Sequence, residues 1–87
     1  MLEQVKLALR ISSTAFDAEI QQLIDDCLAE MRGLGITVVD AQTTTAVIAY
    51  CKSLFGNHPD ADRWASVYQG KVAKLMSMSG YGLEDDR

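Results

Sequence analysis

The sequence predicts an all-α fold: a small bundle of about four helices, with a loop between the second and third and a flexible C-terminal tail. Three observations lead there. The chain has 87 residues, enough for one domain with a modest core that buries about two thirds of the unfolded surface. Its apolar content is 48% with few aromatics, which suits a compact helical domain. Four stretches carry apolar residues at helical spacing, and Gly, Pro or hydroxyl-rich breaks separate them. The expected division is a helical domain over residues 1–79 and an acidic tail over 80–87.

The first helix is short, from Leu2 to about Leu9, with Leu2, Val5 and Leu9 on one side. "ISST" interrupts it, because its hydroxyls compete for backbone hydrogen bonds. The second helix has the clearest stripe: Phe16, Ile20, Leu23, Ile24, Cys27, Met31 and Leu34. Thr14 and Asp17 have the spacing of a capping box at its start, and Gly33 and Gly35 supply positive-φ stops at its end. "ITVVD" then reads as an extended segment or loop.

The third helix starts after Asp40, an expected N-cap. Val47, Tyr50, Cys51 and Leu54 form its stripe, Ile48 and Phe55 flank it, and Gly56 closes it. The fourth runs from about Asp60 to Met78 on Trp64, Val67, Tyr68, Val72 and Leu75. Gly70 interrupts it at a cost of roughly 1 kcal/mol against Ala, which is explained equally by close backbone approach or by a helix irregularity of no consequence.

Charge and chemistry narrow the function. The formal net charge is −4 and the isoelectric point near 4.7, a poor basis for gripping phosphate backbones. No apolar run approaches the roughly 18 to 20 residues that span a bilayer. "MLEQVKLALR" lacks the pattern of a signal peptide, so free thiols in a reducing compartment are expected.

"YCKSLFGNHPDADRW" gathers a cysteine, a lysine, the only histidine and aspartates into one stretch, yet it reads as a helix end, a turn and a helix start. Cys51 and Cys27 lie on apolar stripes and are expected in the core; His58, before Pro59, is a turn residue. Asp60 and Asp62 favour the positive end of the fourth helix. Two cysteines and one histidine without ligand spacing give no zinc site, and no nucleophile–base pair or phosphate loop is present. No catalytic, cofactor or metal residue is assigned.

What stands out is on the edges of the helices. Glu19, Asp26 and Glu30 share one edge of the second helix, although Asp26 and Glu30 repel each other at i, i+4. Arg63 and Lys74 share an edge of the fourth, with the same separation as Glu19 and Glu30, and Lys71 lies inside its apolar arc. Solvated faces explain such edges, with Lys71 snorkelling, and so does an acidic edge that meets the basic edge of a neighbouring subunit.

Three stretches taken in order, "LEQVKLALRISSTAFDAEIQQLIDDC", "AVIAYCKSLFGNHPDADRW" and "YQGKVAKLMSMSGY", resemble the small head–tail connector (adaptor) proteins of tailed bacteriophages and prophages. The resemblance covers about Leu2 to Tyr81. It implies a non-enzymatic subunit, without cofactor, of a homo-oligomeric ring of about a dozen copies. The ring would sit below the portal protein at the head–tail junction of the virion, after assembly in the bacterial host cytoplasm. It would extend the DNA channel, with DNA only as non-specific cargo, and dock the next head-completion or tail protein.

By the same analogy Gly80, Tyr81 and Leu83 are candidates for the portal contact, and Ile36, Val38 and Val39 for the next ring. Glu19, Asp26, Glu30, Arg63, Lys71 and Lys74 are candidates for subunit or lumen contacts. The alternatives are a small helix-turn-helix DNA-binding regulator and a protein–protein adaptor unrelated to phage. The regulator needs a recognition helix fanned with Arg, Lys, Asn or Gln, and the third helix offers only Gln42 and Lys52.

Overall fold

The computed structural model describes residues 1–55 and 59–78. It contains α1 (Leu2–Leu9), α2 (Asp17–Gly33), α3 (Ala41–Leu54) and α4 (Ala61–Ser77), as the periodicity requires. Gly56 and His58, read above as a helix stop and a turn residue, lie outside the described residues.

Each helix end has a local cause. Arg10 closes α1 in the left-handed region (φ 61°, ψ 43°), where its N–H donates to Leu7 and the Ile11 N–H reaches back to Lys6. A non-glycine residue there is uncommon, and the paired carbonyls hold it in place. α2 ends in the same way: Gly35 takes φ 91°, its N–H donates to the Arg32 carbonyl, and the Ile36 N–H donates to Met31 at 2.9 Å. Gly35 is therefore the stop, whereas Gly33 remains inside the helix. Residues 36–39 follow without regular structure.

The starts differ from each other. Asp40 caps α3 as expected: its carboxylate accepts from the N–H groups of Gln42 and Thr43, and the Thr43 hydroxyl accepts from the Asp40 N–H at 2.7 Å. The capping box expected at Thr14–Asp17 does not form; Phe16 occupies the N-cap and offers no side-chain acceptor. Asp17 has a stronger partner. It faces the Lys6 ammonium at 2.7 Å, and that ammonium is almost wholly buried. A charge taken out of water binds its counter-ion more strongly than a carboxylate binds one backbone N–H at an exposed helix start.

α3 lies at the centre. It touches all three other helices, and its largest interface is with α4. Thr43, Ala46, Val47, Ala49 and Cys51 are all buried. At 100° per residue they span an arc of about 200°, twice the width of a surface helix's apolar stripe. Small residues on that arc let neighbours approach from several sides. α3 and α4 run antiparallel: Tyr50 meets Tyr68 edge-on at 5.1 Å, and the Lys52 ammonium stands 4.2 Å over the Trp64 ring nearer the turn. Phe16 and Phe55 meet edge-on at 5.5 Å, joining the entry of α2 to the exit of α3.

The core also takes Val5 from α1, Ile20, Ile24, Cys27 and Met31 from α2, Ile36, and Tyr68, Val72 and Leu75 from α4. The periodicity misplaces three residues. Phe16 and Leu34, at the two ends of the α2 stripe, stay half exposed, and so does Leu54, the last residue of α3. A stripe marks direction; at a helix terminus there is no further turn of a neighbour to cover it.

The Lys6–Asp17 pair yields a stability prediction. Asp17→Asn leaves a buried ammonium without its counter-charge and should cost about 1–3 kcal/mol, below the range of about 3–5 kcal/mol for a fully buried pair because Asp17 is itself a third exposed. Lys6→Met with Asp17→Leu should recover most of that loss in urea unfolding.

Candidate functional site

The described residues present no constellation for chemistry. Among them no group of three or more His, Cys, Asp or Glu side chains could hold a metal ion. Cys27 and Cys51 are free and fully buried. Burial pushes the Cys27 thiol up from 9.0 to about 12; Cys51 and Glu30 push the same way, against a smaller opposing effect of the Tyr68 hydroxyl. Burial alone raises Cys51 to about 11. Neither thiol is a nucleophile at neutral pH. Burial also raises the Tyr50 and Tyr68 hydroxyls, with Glu30 adding to both.

The features that stand out are on the surface, and the fold sorts them by sign. On α2, the helical angle puts Leu23 and Leu34 at one margin of the buried stripe, with Glu30, Glu19 and Asp26 next to them. All three acids are exposed; Asp26 also accepts a hydrogen bond from the Gln22 amide at 2.9 Å. On α4, Arg63 and Lys74 are exposed on the flank beyond Trp64 and Val67, and Lys71 is half-buried among the apolar positions. Among the described residues neither Arg63 nor Lys74 pairs with an acid, and the one ion pair is Lys6–Asp17.

Gly70 lies on that basic flank. A Cβ there would meet no atom within 4 Å, so nothing in the subunit itself approaches its backbone.

The other flank of α4 faces α2 across an open groove of about 250 Å³. Tyr68 and Val72 form its floor, Leu34 and Met76 its apolar walls, and Glu30 and Gln69 its polar rim. The Tyr68 hydroxyl is buried there without a hydrogen-bond partner among the described residues. Periodicity finds the apolar floor but not the groove, because a seam between two helices far apart in sequence has no local signal.

The loop expected to face a next ring divides. Val38 and Val39 are exposed, whereas Ile36 is buried at 3% exposure, locked under the end of α2 by its bond to Met31. Ile36 is thus a core residue, and of the three only the valines are offered to a partner. Gly80, Tyr81 and Leu83 lie outside the described residues.

The described residues thus form a four-helix unit with an acidic flank on α2 and a basic flank on α4 that has no acid to pair with among them. Its sequence matches the family model of phage connector proteins over residues 1–82. The chain belongs to that family. No curated protein and no solved structure matches it. The connector is thus a phage structural protein, and its family associates it with other head and tail proteins and with the head–tail junction. No helix among its described residues is long and apolar enough to cross a membrane.

The buried thiols of the connector carry a prediction. They should resist Ellman's reagent at pH 8 and react at once in urea. Their folded values lie above the ordinary 9.0, so the stability they contribute is complete below pH 9 and is lost as pH rises toward 11–12. The melting temperature should fall between pH 8.5 and 10.5.

Proposed function

We propose that the connector is the subunit of a homo-oligomeric ring below the portal, which extends the DNA channel and docks the next head-completion or tail protein. The observation that carries this reading is the sorting of charge. Glu19, Asp26 and Glu30 form an acidic flank on α2, while Arg63 and Lys74 form a basic flank on α4 that has no acid to pair with among the described residues of its own chain. A head-to-tail contact between copies satisfies both flanks at once, and repetition of such a contact gives a ring when the rotation between copies closes. The open space over Gly70 adds room on the basic flank for a neighbour's backbone, and Lys71 lends its charge from within.

The remaining roles follow from position and sign. A net charge of −4 suits a conduit through which DNA slides, since like charge gives no grip on phosphate. Val38 and Val39 are the apolar contacts offered to the next component. Residues 80–87, with Gly80, Tyr81 and Leu83, form the tail that reaches the portal.

Light scattering over a concentration series, followed by electron microscopy, tests the ring; particles that appear only after mixing with portal support it equally. Asp26→Lys should weaken assembly and Lys74→Glu should restore it in the double variant. Absence of rescue overturns the pairing of flanks. Deleting residues 80–87 should weaken portal binding, and an unchanged affinity removes the tail from that role.

A further inference from the structure

The groove between α2 and α4 is shaped for an apolar side chain accompanied by a positive charge. Its floor and walls are Tyr68, Val72, Leu34 and Met76, and the last two are 43% and 55% exposed, so apolar surface remains open to solvent. The one charge on its lining is the Glu30 carboxylate. The Tyr68 hydroxyl, on a residue more than nine-tenths buried, lies at the same place beside the Glu30 carboxylate and makes no well-formed hydrogen bond there. A dry cavity of about 150 Å³ admits a benzene ring, so 250 Å³ receives a leucine-sized group with room to spare.

The chain itself carries such a group. Leu7 on α1 is 78% exposed, more than any other large apolar side chain among the described residues. Arg10, exposed, follows it on the residue that closes the helix. The other exposed apolar residues outside the groove lack a free cation beside them. Phe16 is held against Phe55, the lysine nearest Leu54 is committed to Trp64, and Val39 adjoins Asp40. Glu3, which shares the exposed side of α1, is seven residues before Arg10, about 10 Å along a helix and clear of Glu30 when Arg10 is placed on it. The acidic C-terminal "LEDDR" has the same sign as Glu30 and is a poor occupant.

We infer that the Leu7–Arg10 knob of one subunit seats in the α2–α4 groove of the next, with Leu7 between Leu34 and Met76 and the Arg10 guanidinium on the Glu30 carboxylate. α1 packs on α2 and α3 and shares no substantial interface with α4, so knob and groove are different patches of the surface. A contact between different patches is head-to-tail and propagates from copy to copy, as a ring requires. This rests on the ring reading above and names one contact within it; of the three acids on α2, Glu30 is the one given to Arg10.

Cross-linking tests the contact. The full-length single variants Leu7→Cys and Met76→Cys replace exposed side chains, and both native thiols are buried, so the new thiols are the reactive ones. Mixed at high concentration under mild oxidation, they should give a disulfide-linked heterodimer well above the homodimers of either variant alone. Adding Glu30→Arg to the Met76→Cys protein should lower the yield about tenfold, the scale of one lost charge pair across an interface, and Arg10→Glu in the partner should restore it.

Failure to form the heterodimer overturns the knob-and-groove contact, whether or not the chain assembles. If particles form without it, the ring stands on other contacts; if no particle forms with or without portal, the ring reading falls as well. Cross-linking of Met76→Cys to portal in place of Leu7→Cys assigns the groove to the portal and overturns the inference too.

Discussion

The structure depends on the burial of α3 from several sides. A helix that touches three others cannot carry large side chains all around, and the buried arc of α3 is accordingly Thr43, Ala46, Val47, Ala49 and Cys51. Two alanines, a threonine and a cysteine set the distances at which α1, α2 and α4 stand. The same constraint explains why Thr43 is tolerated in the core: its hydroxyl is consumed in the capping box with Asp40, where it both accepts from the Asp40 N–H and donates to the Asp40 carbonyl. One residue thereby fixes the start of the central helix and lies beneath its neighbours.

With α3 in the middle, α1 and α4 are held apart and each needs its own fastening. α4 has aromatic and cation–π contacts along α3. α1 has only eight residues, too few to be stable by itself in water. It is held by Val5 in the core and by the Lys6–Asp17 pair, and Arg10 accepts a left-handed backbone so that the chain can turn back into α2. An ion pair is a costly way to attach a helix, since burying the ammonium works against it. It does, however, fix the rotation of α1. With Lys6 turned inward to Asp17, Leu7 has no choice but to face solvent.

The helices and most of the core were legible in the sequence because they depend on local periodicity. Ile20, Ile24, Cys27 and Met31 recur at helical spacing, and Asp40 is a cap by residue type alone. What periodicity could not show has a common physical form: each instance is a contact between residues far apart in the chain, or a choice between two local options. The Thr14–Asp17 spacing fits a capping box, but Lys6 claims the carboxylate first. Ile36 looks like loop, but Gly35 turns the chain so that its side chain goes under α2. The breadth of the α3 face was hidden because alanine weighs little in an apolar stripe, although alanine is what a crowded centre demands. Of the surface residues, the two charged flanks could be read from the wheel, and so could Leu7, which falls opposite the Leu2–Val5–Leu9 side of α1, whereas the groove has no sequence pattern at all.

The groove follows from the same arrangement. α3 packs against both α2 and α4, which share no substantial interface with each other, and an open groove lined by both remains between them. A monomer optimised for its own stability would close that groove with a larger residue, or place phenylalanine at position 68 and so avoid burying a hydroxyl beside the Cys27 thiol and the Glu30 carboxylate. The connector instead keeps Tyr68 beneath an open apolar groove with a carboxylate at its rim. In a domain of this size a few kcal/mol is a large part of the total stability. That cost is offset if the surface is completed from outside, so that assembly and the final stage of core formation become one event. In the proposed ring, the apolar surface over Tyr68 and Val72 would be covered by a neighbouring copy.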